Sequence, residues 1–165
     1  MRLALSEHSS GGGMQRNLFS SARILLVESD APFRRSLENG VKRAGYLFDS
    51  CSTCDQARQL AKARRYDLCV VEYHLRDGNG ARLVAELKKV HATLRAVLIS
   101  FYDFEWISRD VTPVADGFLK KPFDLLDFEH MIHSMLAAVP SPVLFSRFSS
   151  SSDQVPAPIL KEGVL

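Results

Sequence analysis

Four stretches of the chain carry residue types that can hold a phosphoryl group: Glu28-Ser29-Asp30, Glu72, Ser100 and Lys121-Pro122. Two or three carboxylates suit a divalent cation such as Mg²⁺, and a hydroxyl and an ammonium suit phosphoryl oxygens. The set can act only if the fold brings its members to one edge. Two other groupings compete for a role. Cys51-Ser52-Thr53-Cys54 is a CxxC at the start of an expected helix, where a thiol pKa falls and redox chemistry becomes possible. Two packed, inert thiols are the plainer reading. Zinc would need two further ligands, and Cys69 lies in an apolar strand. His74 with Glu28 and Glu72 could form a site of two carboxylates and an imidazole for a transition metal, or could be an exposed loop residue. His130 and His133, three apart, are expected on the solvated face of a helix.

The elements that would position these residues follow from apolar patterning. Arg23–Val27 reads as a strand buried on both faces. Asp30 caps a helix with Pro32 in its first turn, running to about Ala44 and stopped by Gly45. Tyr46–Ser50 is a second strand, and a second helix opens at Thr53 or Cys54 and runs to about Arg65. Leu68–Glu72 is the third strand, and Asp77–Gly80 (DGNG) a loop. Ala81–Val90 is a helix with Leu83, Val84, Leu87 and Val90 on one face. Ala96–Ser100, Asp103–Val111, Gly117–Lys120 and Asp124–Val139 continue the alternation of strand and helix. The last helix turns Leu125, Phe128, Met131, Ile132 and Met135 inward.

Five alternations with short joints imply an α/β fold, a five-stranded parallel sheet doubly wound by helices. In such sheets ligands sit at the carboxyl ends of the strands. Glu28, Ser29, Asp30, Glu72, Ser100 and Lys121 all stand there.

The 165 residues allow one domain of ordinary size. Residues 1–22, with a Gly11–Gly13 run, and residues 139–165, rich in Pro and Ser, read as tails around a domain at 23–138. The apolar patch Val143–Phe148 could dock on the domain or on a partner. Met1 and Met14 are both possible starts. With 21 basic and 19 acidic side chains the net charge is +2, and no basic stripe marks a nucleic-acid footprint. No apolar run is long enough to cross a membrane, and the N-terminus is not a signal peptide, so a cytoplasmic location is expected.

ILLVESD, DLCVVEYHL with DGNG, VLIS and FLKKPF, in this order and at these separations, resemble the receiver domain of bacterial two-component response regulators, a flavodoxin-like (βα)5 fold. The stretches DAPF, AKAR and LRDGNG look most like receivers of the redox-responsive global regulators of photosynthetic and related proteobacteria. The resemblance covers roughly residues 23–137. It implies that Glu28 and Ser29 stand where an acidic pair holds Mg²⁺, and Glu72 where an aspartate accepts the phosphoryl group. It also implies that Ser100 and Lys121, before the cis proline Pro122, bind phosphoryl oxygens, and that Phe118 is the switch aromatic. Phe101, Tyr102, Phe104 and Trp106 cluster around the fourth helix. The resemblance makes the face of helix four, strand five and helix five a surface for partners or for a second copy.

Three departures stand out: glutamate at the acceptor position, serine at the second acidic position, and Arg76 where a loop proline is usual. Glutamate carries its carboxylate about 1.5 Å further out than aspartate. Misplacement of about 1 Å can cost on the order of 100-fold in rate. The extended carboxylate can instead pair with Lys121 permanently. Two carboxylates against one lysine lower the demand for a divalent cation, and neutral Ser29 is a poor Mg²⁺ ligand. A degenerate pseudo-receiver is therefore expected, with no enzymatic activity, no cofactor and Mg²⁺ bound at most weakly. It would be a stand-alone adaptor or antagonist, since residues 138–165 are too few for a helix-turn-helix domain. It would bind a histidine kinase, a phosphotransfer protein or another response regulator, and neither nucleic acid nor membrane. A thiol redox sensor through Cys51 and Cys54, and a receiver with residual phosphoryl acceptance (on Asp30, Asp77 or Glu72), are the alternatives.

Overall fold

The computed structural model describes residues 22–137; the expected tails, 1–22 and 139–165, lie outside the described residues except for Ala22. β1 (Arg23–Val27), β2 (Leu47–Cys51), β3 (Leu68–Glu72), β6 (Arg95–Ser100) and β7 (Gly117–Lys120) form one parallel sheet in the order β2-β1-β3-β6-β7. β4 (His74–Leu75) and β5 (Gly78–Asn79) make a small antiparallel bridge outside it. The helices are α1 (Ala31–Arg43), α2 (Cys54–Ala63), α3 (Gly80–Val90), α4 (Phe104–Val111) and α5 (Leu125–Leu136).

The sheet has a core on each face, which is why its strands read as continuous apolar runs. Leu25, Val27, Cys69, Val71, Ala96, Leu98 and Phe118 point to α2, α3 and α4. Ile24, Leu26, Leu68, Val70, Val97, Ile99 and Leu119 point to α1 and α5, with Phe128 and Ile132 fully buried among them. Strand order reverses between β1 and β3, and the crevice at their carboxyl ends is where such sheets place their sites.

Local chemistry sets the joints. Asp30 accepts a 2.7 Å hydrogen bond from the Phe33 amide, so α1 starts immediately after β1. Gly45, at φ +82°, turns the chain out of α1 in the left-handed conformation that favours glycine. The Lys121–Pro122 peptide is cis.

Several boundaries differ from expectation. β2 begins and ends one residue later than Tyr46–Ser50, and the Tyr46 side chain is buried against α5. The Asp77–Gly80 stretch is a bridge and a helix start, with Asn79 capping α3. Val90 is exposed: it lies in the last turn of α3, beyond the sheet. Leu125 is only partly buried. α5 ends at Leu136 among the described residues. None of the described helices is long and apolar enough to cross a membrane.

Candidate functional site

β1 delivers Glu28 and Ser29 to the carboxyl edge, β3 delivers Glu72, β6 delivers Ser100 and β7 delivers Lys121. The Lys121 ammonium donates to Glu28 Oε2 at 2.8 Å and to Glu72 Oε1 at 3.0 Å. Its residue is 4% exposed and Glu28 is 0% exposed, so this is a buried charge triad. The second oxygen of each carboxylate is also occupied. Glu28 Oε1 accepts from the Asp30 amide at 3.0 Å. Glu72 Oε2 accepts from the Ser29 amide at 3.1 Å and from the Ser29 hydroxyl. Arg34 Nη1 donates to the Glu28 carbonyl at 2.6 Å, fixing the start of α1 on the strand end.

The two carboxylates differ in proton affinity. Burial pushes the Glu28 pKa up, and its bonds to Lys121 and the Asp30 amide do not offset that. Burial also pushes Glu72 up. The hydroxyl and amide of Ser29 together with Lys121 outweigh it and hold Glu72 below the usual carboxylate value. Glu72 is the more acidic of the two carboxylates, and Ser29 is the reason as much as Lys121.

The other candidate residues divide. The Asp30 carboxylate caps α1 and only its amide faces the pocket. Ser100 is buried, and its hydroxyl accepts from the Tyr102 amide at 3.0 Å in the loop before α4. Its backbone carbonyl takes the Lys121 amide at 2.7 Å. Phe118 is buried in the core against Phe104, which is partly buried there. Phe101, Tyr102 and Trp106 stand exposed, Trp106 at 85%.

His74 is exposed on β4, and no group of three His, Cys, Asp or Glu residues among the described residues could hold a metal ion. The pocket residues do not fit Mg²⁺ either. Every carboxylate oxygen of Glu28 and Glu72 accepts from the protein, Ser29 contributes a neutral hydroxyl, and an ammonium already bridges the two acids. His133 is not simply solvated: its Nδ1 lies 3.0 Å from the Tyr46 hydroxyl, joining α5 to the start of β2.

The cysteines follow the plainer reading of packed thiols, and the alternative of an activated thiol loses ground. Cys51, Cys54 and Cys69 are buried and free. Burial pushes Cys51 and Cys54 up to about 11 and Cys69 up to about 12. At Cys54 the Asp77 carboxylate adds to this. It accepts from the amides of Cys54 and Asp55 at 2.9 and 3.1 Å and places a negative charge at the α2 N-terminus. The helix end that would favour a thiolate is thus already neutralised.

Sequence reasoning missed three contacts at the site. The Phe33 and Phe101 rings lie 4.4 and 5.0 Å from the Lys121 ammonium. Tyr73, next to Glu72, donates its hydroxyl to Asp110 of α4 at 2.6 Å. A helix-start phenylalanine and a loop phenylalanine carry no signal of such a role in the sequence.

The response regulator receiver domain family matches residues 24–133. The chain belongs to this family. RegA of Cereibacter sphaeroides, a photosynthetic apparatus regulatory protein, is 28% identical over 122 residues, 72% of this chain and 65% of RegA. BasR of Escherichia coli, a transcriptional regulatory protein, is 30% identical over 117 residues, 69% of this chain and 52% of BasR. The chain therefore spans between half and two thirds of these relatives' length. Among solved structures, the receiver fold of the chemotaxis response regulator CheY4 of Vibrio cholerae superposes with a TM-score of 0.66 at 18% identity. The match covers 70% of this chain and 99% of CheY4. A two-component response regulator of Clostridium difficile gives 0.67 at 23%, covering 73% and 100%. The receiver is thus a two-component signalling domain by family, and its sheet is the five-stranded flavodoxin-like arrangement expected.

Proposed function

We propose that this receiver signals by protein–protein contact without accepting a phosphoryl group. In this reading it is a cytoplasmic adaptor or antagonist in a two-component pathway, with no catalytic turnover of its own. The observation that carries the reading is the Glu72 carboxylate, bridged to Ser29 on one oxygen and to Lys121 on the other. The family's phosphoryl pocket is filled by a fixed side-chain anion. The acceptor carboxylate, the metal position and the lysine are all engaged with one another. Mg²⁺ binds at most weakly for the same reason.

The partner we assign is a histidine kinase, a phosphotransfer protein or another response regulator. It would meet the face formed by α4, β7 and α5, where Phe101, Tyr102 and Trp106 leave aromatic surface in water. A second copy of the chain could use the same face. The redox alternative loses support from the high thiol pKa values of Cys51 and Cys54.

Intact-mass analysis after incubation with a small acyl-phosphate donor and Mg²⁺ tests the reading. The wild type is expected to gain no phosphoryl group, and a Ser29→Asp, Glu72→Asp variant to gain one. A phosphoryl group on wild-type Glu72, Asp30 or Asp77 would return the protein to ordinary phosphorelay chemistry.

A further inference from the structure

Lys121 has four neighbours at its ammonium: two carboxylates and two aromatic rings. The carboxylates account for its charge, but not for its near-complete exclusion from water in a pocket at the sheet edge. Phe101 is 71% exposed, yet its ring lies 5.0 Å from an ammonium that is almost entirely covered. A ring with most of its surface in solvent and its contact on a buried cation is an outer layer over that cation. An ammonium within about 6 Å of a ring centroid is attracted to the ring, and more strongly when desolvated.

The backbone on either side of Phe101 is anchored, and a second ring covers Lys121. Ser100 Oγ accepts the Tyr102 amide, which folds residues 100–102 into a tight turn with Phe101 in the middle. The Tyr102 ring packs edge-on against Tyr73, which is anchored through its hydroxyl to Asp110 of α4. From the other side Phe33 approaches the same ammonium, itself packed edge-on against Phe123.

We propose that Phe101 is an aromatic cap over Lys121 that slows the access of small solutes to the Lys121–Glu72 pair. This inference rests on the reading of an inert pocket and adds to it. Glutamate and serine remove the chemistry, and Phe101 restricts the access.

The cap can be tested without any phosphoryl transfer. The probe is brief reductive methylation of lysines with formaldehyde and a borohydride on the full chain, with peptide mapping. Lys120, adjacent and about half exposed, is the internal reference. Phe101→Ala is expected to raise Lys121 methylation relative to Lys120 by about tenfold. Phe101→Tyr should leave it at the wild-type level, as should Trp106→Ala, which removes an exposed aromatic from α4. A ratio in Phe101→Ala equal to wild type overturns the cap. So does an equal rise in Trp106→Ala, which would mean general loosening of the loop. A second readout is the rate of phosphoryl uptake in Ser29→Asp, Glu72→Asp with and without Phe101→Ala. Faster uptake in the triple variant supports the cap, and equal rates in two reactive variants overturn it. Phosphorylation of the wild type would defeat the inert-pocket reading, while the Lys121 labelling ratio would still decide the cap.

Discussion

Position 29 faces Glu72 Oε2 directly, and Ser29 donates to that oxygen from both its hydroxyl and its amide. A carboxylate at 29 would set like charges against each other in a buried pocket, so glutamate at 72 and serine at 29 are complementary changes. The same bonds set a pH dependence. Glu72 titrates below its ordinary value when folded, so its contribution to stability is present above about pH 4.5 and is lost as pH falls through the lowered native value. Glu28, raised by burial, works in the opposite sense: its ionised form is the costly one, and protonation at falling pH relieves it. Glu72→Gln is therefore expected to destabilise by roughly 1.5–3 kcal/mol at neutral pH, the range for hydrogen bonds to a charged group. The difference should shrink towards zero at strongly acidic pH. Urea unfolding of both proteins across that range checks it; a difference that stays constant would show that the Glu72 charge is not what stabilises the pocket.

Among the elements, the β3–α3 connection does more than its loop-like sequence suggests. Asp77 caps α2 from a distance, joining the N-terminus of one helix to the turn that starts the next. Gly80 opens α3 with its amide on the Tyr73 carbonyl at 2.7 Å. A Cβ added at Gly80 would lie 2.1 Å from the Glu72 carbonyl oxygen, so only glycine lets α3 start this close to the site strand. Gly80→Ala must push α3 off the end of β3. The expected cost is about 1–3 kcal/mol, as for other forced insertions into packed regions, and a lower denaturation midpoint would register it. A Gly80→Ala protein with wild-type stability would mean that the turn relaxes freely.

At the scale of the whole molecule, stability and surface are separable. Phe128, on α5, is fully buried against α1, stacked near Phe123, and belongs to the core that backs the site strands. Phe128→Ala is expected to cost about 3–5 kcal/mol through lost burial and the cavity left behind. Trp106 is the opposite case, a large apolar side chain almost wholly in water. Trp106→Ala should stay within about 0.5 kcal/mol of wild type in denaturation, as surface changes do. On the proposed function it should weaken partner binding. A strongly destabilised Trp106→Ala protein would show that the side chain supports the fold, and would remove it from the partner surface.

The alternation of strands and helices, the two-sided sheet and the meeting of Glu28, Ser29, Glu72 and Lys121 were legible in the sequence. A run such as Ile24–Val27 has no polar face, so both its faces must be covered by helices. Parallel order then puts every strand end on one rim. What each side chain does at that rim was legible only in part. Asp30 caps its helix as its sequence position suggests, but Ser100 turned inward to its own loop. The cysteines were quenched by burial and by Asp77, a residue more than twenty positions away. Phe33 and Phe101 came to Lys121 from different connections of the fold. Patterning records which face of an element is buried. Hydrogen-bond partners, thiol pKa and ring contacts depend on distances between elements that are remote in sequence, and tertiary packing alone sets those.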